Sequence, residues 1–221
     1  MATLLVLRPE PAASATVAKA REQGLEALAL PLFKLEPVAW EAPDPGGFDG
    51  LLLTSANAVA CAGEQVAKLR GLKVYAVGEA TAGAARDAGF DVASTGDSGI
   101  DRLLGSIEPV LKLLQLAGED RRAPDNARQS ITPIVVYRSR TVEPPHIPGG
   151  SEAIALIHSP RAGRQFAELV HERRDISIVA ISQAAADAAG EGWKSVDIAE
   201  RPSDDALLAL AARLCNNSPP K

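Results

Sequence analysis

Aromatic side chains are scarce in this 221-residue chain, at 4% of the total. Two tryptophans, two tyrosines and four phenylalanines cannot fill a core, so the interior must be built from Leu, Ile, Val and Ala, which suits α/β layers. Cysteine is nearly absent too. Cys61 and Cys215 are the whole inventory, which excludes a disulfide framework, and neither has metal-ligand spacing to a histidine. They are read as two reduced packing residues of a cytoplasmic protein. No apolar run approaches the roughly 20 residues of a membrane span, and the chain runs from Met1 into Leu4-Leu5-Val6-Leu7 and Arg8-Pro9 with no signal-peptide pattern. A basic excess is also missing. The net charge of −5 argues against nucleic acid as a partner, since such binders carry a basic stripe; it leaves room for a locally basic cleft.

What is present is 46% apolar content, ordinary for a globular chain. Gly and Pro are scattered as turn punctuation, apart from the polar tail Asn216-Asn217-Ser218-Pro219-Pro220-Lys221. The most informative stretch is Leu51-Leu52-Leu53-Thr54-Ser55-Ala56-Asn57-Ala58-Val59, an apolar run that ends in small polar residues and reopens as an alanine-rich helical pattern. It reads as a buried parallel strand turning into a helix N-terminus. Ala155-Leu156-Ile157-His158-Ser159-Pro160-Arg161-Ala162-Gly163 does the same, with Ser159 in the role of Ser55.

That echo is part of a longer one. Sliding residues 48–104 forward by a constant 104 positions needs no gap and gives roughly fifteen identities in about 57 pairs, with Ser55 on Ser159, Ala76 on Ala180, Val92 on Val196 and Asp101 on Asp205. Leu5 to Glu10 likewise resembles Leu114 to Glu119, and Ala27 to Glu36 resembles Thr132 to Arg140. The chain is read as an internal duplication of strand–helix units, and such alternation predicts parallel sheets with right-handed crossovers and helices on both faces. Expected elements include a helix from Ser14 to Gln23 closed by Gly24, strands at Leu25–Leu30 and Lys73–Val77, one helix from Ala58 to Leu69, and a helix capped by Ser98. The connection between Glu119 and Ser130 is too short and polar for a full helix. Pro31 to Val38 keeps strand-like alternation past a proline, as a segment leaving one domain for another would.

At the expected strand ends, Thr54-Ser55, Gly78-Glu79, Ser159-Pro160 and Ser182-Gln183 pair a small or hydroxylated residue with a helix start. Such turns aim backbone N–H groups off the carboxyl edge of a sheet, where anions bind; simple N-capping is the alternative reading of each. Arg8, Arg121, Arg122, Arg138, Arg140, Arg161 and Arg164 are read as lying just past strands, placed to take carboxylates or phosphates. No G-x-G-x-x-G, P-loop or G-x-S-x-G pattern occurs, so Ser55 and Ser159 are poor nucleophiles. His146, His158 and His171 form no metal pattern and are read as ordinary polar residues. No cofactor or metal is called for. Tyr137, beside Arg138-Ser139-Arg140, is read either as a proton donor or as a tyrosine packing an interdomain strand.

Leu7-Arg8-Pro9, Leu53 to Val59, Ala76-Val77-Gly78-Glu79-Ala80-Thr81-Ala82, Gly118-Glu119-Asp120-Arg121, Val136-Tyr137-Arg138 and His158-Ser159-Pro160-Arg161, in this order over nearly the whole chain, resemble the uroporphyrinogen-III synthase family. The resemblance implies two doubly wound parallel-sheet α/β domains, residues 1–35 with 146–221 and residues 36–145, joined by a two-stranded extended linker with the active cleft between them. It implies conversion of hydroxymethylbilane, a linear tetrapyrrole with eight carboxylates, to uroporphyrinogen III by ring closure, loss of water and inversion of the last ring through a spiro intermediate, without metal or cofactor. Tyr137 matches the family's candidate proton donor. Arg8, Thr54, Ser55, Asn57, Gly78, Thr81, Arg138, Ser159, Arg161 and Ser182 are the expected substrate contacts of a cytoplasmic monomer that needs neither membrane nor nucleic acid. Ser182-Gln183-Ala184-Ala185 departs from the Gly-Pro-Thr-Thr of many members. A two-lobed small-anion-binding protein and an inactive paralogue are the competing readings.

Overall fold

The structure, a computed structural model, describes residues 2–97, 99–142 and 152–217. Its strands are β1 (Thr3–Val6), β2 (Ala27–Ala29), β3 (Phe33–Pro37), β4 (Gly50–Leu53), β5 (Lys73–Val77), β6 (Val92–Gly96), β7 (Lys112–Gly118), β8 (Ser130–Thr141), β9 (Ala153–Ile157), β10 (Ile176–Ala180) and β11 (Ser195–Ile198). The α-helices are α1 (Ala12–Glu22), α2 (Ala56–Cys61), α3 (Glu79–Asp87), α4 (Ile100–Gly105), α5 (Pro160–Leu169), α6 (Gln183–Ala189) and α7 (Asp204–Asn217). No helix among the described residues is long and apolar enough to cross a membrane.

Two sheets form, one of five strands in the order β11-β10-β9-β1-β2 and one of six in the order β3-β8-β7-β4-β5-β6. Pairing is parallel through the first sheet and from β8 to β6 in the second. The central strands lose both faces to protein, which is why they read as unbroken apolar runs and not as alternating ones. In the first sheet Leu5, Ala155, Ile157 and Ile178 pack on one face with Phe166 of α5 and Ala185 of α6. Leu4, Val6, Leu156 and Val179 pack on the other with Val17 of α1 and Leu207 and Leu208 of α7. In the second sheet Leu51, Leu53, Val74 and Leu114 meet Ala58 of α2 and Ala82 and Ala85 of α3, while Leu52 and Leu113 meet Leu103 and Leu104 of α4. Each such leucine contributes about 1.5–3 kcal/mol by leaving water.

The 104-residue offset holds in three dimensions. Helix starts at Ala56, Glu79 and Ile100 recur at Pro160, Gln183 and Asp204, and β4-β5-β6 in one sheet corresponds to β9-β10-β11 in the other. The front echoes hold as well: β7 flanks β4 as β1 flanks β9. No helix interrupts the described chain between β7 and β8, as the polarity of residues 119–129 predicts.

Several expectations are corrected. The single helix from Ala58 to Leu69 is two pieces, α2 and a 3-10 turn over Gly63–Leu69, broken at Gly63 with φ of +63°. The strand expected at Leu25–Leu30 is trimmed to β2. Arg138 and Arg140 lie inside β8 and not past a strand end, because Tyr137 does not end that strand. The cap expected from Ser98 lies outside the described residues, as does His146. Two compact units are present, residues 1–34 with 141–221 and residues 35–140. Their boundaries fall within β3 and β8, which are hydrogen-bonded neighbours.

Close packing in the first unit depends on Gly163. A β-carbon there would lie 2.8 Å from the Ala185 carbonyl oxygen and 2.9 Å from the Ala189 nitrogen, so α5 and α6 meet backbone to backbone. Phe166 and Trp193 stack beside this crossing with centroids 5.4 Å apart. Gly163→Ala is expected to destabilise the protein by about 1–3 kcal/mol through overpacking, whereas Gly83→Ala on α3, where nothing lies within 4 Å, is expected to be neutral or to stabilise by up to about 1 kcal/mol. Urea unfolding midpoints of the two variants check this.

Candidate active site

In a parallel sheet every strand of a crossover unit ends on the same edge, so the residues after β1, β9 and β10 collect together, as do those after β4, β5 and β7. In the first unit this edge carries Arg8, His158, Ser159, Arg161 and Ser182. Ser159 and Ser182 are N-caps. The Ser159 oxygen accepts from the Ala162 N–H at 3.1 Å and the Ser182 oxygen from the Ala185 N–H at 3.3 Å. In the second unit Ser55 accepts from the Asn57 N–H at 3.2 Å. The capping alternative thus holds at all three serines, and the backbone N–H groups expected to be open are partly satisfied. The hydroxyl hydrogens of these serines have no acceptor among the described residues and remain able to donate. The family's Thr-Thr positions fall on Ala184, exposed, and Ala185, fully buried in the α5–α6 contact.

Gly78 and Thr81 do not behave as expected. The Gly78 N–H donates to the Gly96 carbonyl at 2.6 Å, and Glu79 occupies the first turn of α3, paired with Arg86. An anion at that helix end would meet a carboxylate. Thr81 is 5% exposed, turned inward beside Ala82. Thr54 and Asn57 are half-buried at the end of β4 and the start of α2.

Several of the arginines are tethered. Arg138 Nε donates to Glu36 Oε2 at 3.0 Å, and Arg140 Nε approaches the same oxygen at 3.8 Å; as half-exposed pairs these add little stability. Arg122 pairs with Asp125. Arg161 lies over the Phe33 ring at 4.4 Å, a cation–π contact that holds the guanidinium while leaving it charged.

Arg8 is tethered by a network the sequence did not suggest. Its Nη1 donates to Asp204 Oδ1 and to Thr16 Oγ1, each at 3.2 Å, and Thr16 donates on to Asp204 Oδ1 at 3.0 Å. His158 Nε2 lies 2.9 Å from the same oxygen and its Nδ1 3.3 Å from the Leu156 carbonyl. His158 is thus a polar residue held in a network, with its side chain 9% exposed. Burial pushes the Asp204 carboxyl up, but the hydrogen bond and charge of His158, the charge of Arg8 and the Thr16 hydroxyl together bring it below its usual value of 3.8. The signal available in sequence was only positional, Asp204-Asp205 opening a helix one repeat after Ile100-Asp101.

Tyr137 is placed by a shift in register. β7 and β8 pair Ala117 with Val135 but Gly118 with Tyr137. The extra residue puts Val136 and Tyr137 on the same core face, where simple alternation would set them apart. The ring then lies across Gly118, where a β-carbon would sit 2.7 Å from Cζ and 2.9 Å from the hydroxyl oxygen. The phenol thus reaches the carboxyl end of β7, and its hydroxyl has no hydrogen-bond partner among the described residues. Burial pushes the thiols of Cys61 and Cys215 up, away from nucleophilic use. No group of three or more His, Cys, Asp and Glu among the described residues is placed to hold a metal.

The architecture defines an α/β protein made of two doubly wound parallel-sheet units with a structural repeat. Residues 14–209 match the family described as uroporphyrinogen-III synthase HemD, and the chain belongs to that family, whose members are cyclising lyases of tetrapyrrole biosynthesis. Among solved structures it is similar to uroporphyrinogen-III synthetase from Helicobacter pylori, at TM-score 0.66 and 20% identity over 97% of this chain and 100% of that one. It is also similar to a mutant uroporphyrinogen III synthase from the extremely thermophilic bacterium Thermus thermophilus, at TM-score 0.55 and 19% identity over 98% and 100%. At these identities the likeness shows the fold. No curated protein matches.

Asp204 generates a prediction with a definite sign. A carboxyl lowered in the folded state adds stability above its unfolded value, and that contribution is lost as pH falls through the folded one. Asp204→Asn is expected to destabilise by about 1–3 kcal/mol near neutrality, because it leaves buried donors underpaired. The gap from wild type should narrow from about pH 5 to about pH 3. Urea melts at both pH values read it directly.

Proposed function

We propose that this chain closes hydroxymethylbilane to uroporphyrinogen III, with Tyr137 protonating the departing hydroxyl. The observation that carries this reading is the unpartnered Tyr137 phenol held over Gly118 at the carboxyl end of β7. Protonation releases water and leaves an azafulvene cation. Attack on that cation by the substituted carbon of the last ring gives the spiro intermediate, whose fragmentation and reclosure inverts the ring. A positioned acid contributes about 10²–10⁴-fold, and holding the chain ends in contact contributes more through proximity.

The substrate carries eight carboxylates, and the two sheet edges offer donors suited to them. The Ser55, Ser159 and Ser182 hydroxyls each accept from backbone and have a hydrogen left to give. Arg8 and Arg161 bring guanidinium groups held in place by Asp204 and Phe33. Thr54 and Asn57 complete the second edge. Arg138 serves this reading less well, since Glu36 already holds it, and Gly78 and Thr81 contribute through α3 and not by direct contact. The protein acts as a cytoplasmic monomer without cofactor in this reading, and takes neither nucleic acid nor membrane as partner.

Incubation with freshly generated hydroxymethylbilane is expected to yield the type III isomer. Type I alone, formed at the rate of spontaneous closure, refutes the proposal and leaves an anion-binding or inactive relative. Tyr137→Phe is expected to lower turnover by about 10²-fold or more with the thermal midpoint little changed. Gly118→Ala, which drives the ring from its seat, should lower turnover in the same direction. Near-native turnover in a folded Tyr137→Phe protein returns the tyrosine to a packing role.

A further inference from the structure

Arg8 is a guanidinium with one nitrogen committed and the rest of its fork open. Both of its hydrogen bonds use Nη1, and Nε and Nη2 have no hydrogen-bond partner among the described residues. The side chain is 31% exposed, so three N–H donors remain on a half-buried cation beyond the end of β1. Arginine–carboxylate pairs frequently meet fork to fork, with two parallel hydrogen bonds, which leaves the guanidinium fewer donors for a second anion. Here Asp204 instead spends one oxygen on three neighbours, receiving Thr16 at 3.0 Å, Arg8 at 3.2 Å and facing His158 Nε2 at 2.9 Å. Its second oxygen faces Thr16 at 3.2 Å and Lys19 at 3.8 Å. One oxygen of the acid, Oδ1, is crowded with donors while most of the arginine's fork is open. That is the asymmetry of a cation braced from behind.

The brace is built from four separate pieces of the first unit: the end of β1, α1 through Thr16, the end of β9 through His158, and the first residue of α7. Thr16 is fully buried and His158 nearly so, so the brace is anchored in the core and not on the surface. His158 also immediately precedes Ser159, whose hydroxyl caps α5 at the same edge.

We propose that Asp204, fixed by His158 and Thr16, is a positioning residue that holds Arg8 with Nε and Nη2 presented to a carboxylate of the substrate. This rests on the polycarboxylate reading of the site given above. The carboxylate taken is a peripheral side chain of the tetrapyrrole, so the contact serves binding and not proton transfer.

The test is a double-variant cycle on Arg8→Ala, Asp204→Asn, His158→Gln and the pairwise combinations, read both as KM and kcat with hydroxymethylbilane and as Kd for uroporphyrin III by quenching of tryptophan fluorescence. Arg8→Ala is expected to raise Kd and KM by about tenfold or more, with a smaller fall in kcat. Asp204→Asn and His158→Gln should raise them several-fold in the wild-type background and add little once Arg8 is already Ala. Arg8→Lys, which keeps the charge but loses the fork, should not restore wild-type affinity. The proposal is overturned if Arg8→Ala leaves Kd unchanged, or if Asp204→Asn weakens binding by the same factor with and without Arg8, which marks a structural effect alone. His158→Gln supplies the second arm if Asp204→Asn fails to fold. Failure of the synthase reading shows separately, as absence of type III product from wild type while the uroporphyrin Kd still answers for Arg8.

Discussion

Strands β4, β9 and β10 are buried on both faces, and from this the rest follows. A buried backbone has no water to satisfy its N–H and C=O groups, so β4 and β9 must be paired on both sides and cannot carry polar side chains into the layers. Chemistry is then forced to the strand ends. Parallel pairing puts those ends on one edge of each sheet, which is where Arg8, Ser55, His158, Ser159 and Ser182 are found and where the ring of Tyr137, from inside β8, reaches over Gly118 at the end of β7.

Electrostatics within that frame is local and not global. The chain is acidic overall, yet the first unit's edge holds cations in place, Arg8 through Asp204 and Arg161 against the face of Phe33. A guanidinium tethered through a single nitrogen, as Arg8 is, keeps donors for a second anion. Arg138 shows the contrast: its Nε is taken by Glu36 on a neighbouring strand. Position along the chain suggested equal roles for these arginines, and only their partners separate them.

Much of the fold was legible in the residues. The constant offset from Leu52 to Leu156 and from Ser55 to Ser159 survives because two units with the same crossover lengths need their strand ends and caps at the same intervals. Gly24, Ser55 and Ser159 act as the local rules of helix ends require. The helix from Ala58 to Leu69 was misread because its alanine pattern is helical on either side of Gly63, and periodicity does not record a positive φ. Of the candidate site, the serines and Arg8 were found by their place after apolar runs. His158, Thr16 and Asp204 were not, because they lie far apart in sequence and none has a local pattern that sets it apart.

Composition, apolar runs and the internal repeat thus determined by themselves the layer architecture, the parallel sense of most strand pairs and the edge that carries the candidate site, since these depend on periodicity and on the need to bury both faces of a strand. Tertiary structure alone decided which side chains act together. The register shift that turns Tyr137 onto Gly118 depends on how β8 aligns with β7, and the bracing of Arg8 depends on α7 returning to the ends of β1 and β9. Both are matters of non-local pairing, set by packing between segments that the linear order keeps apart.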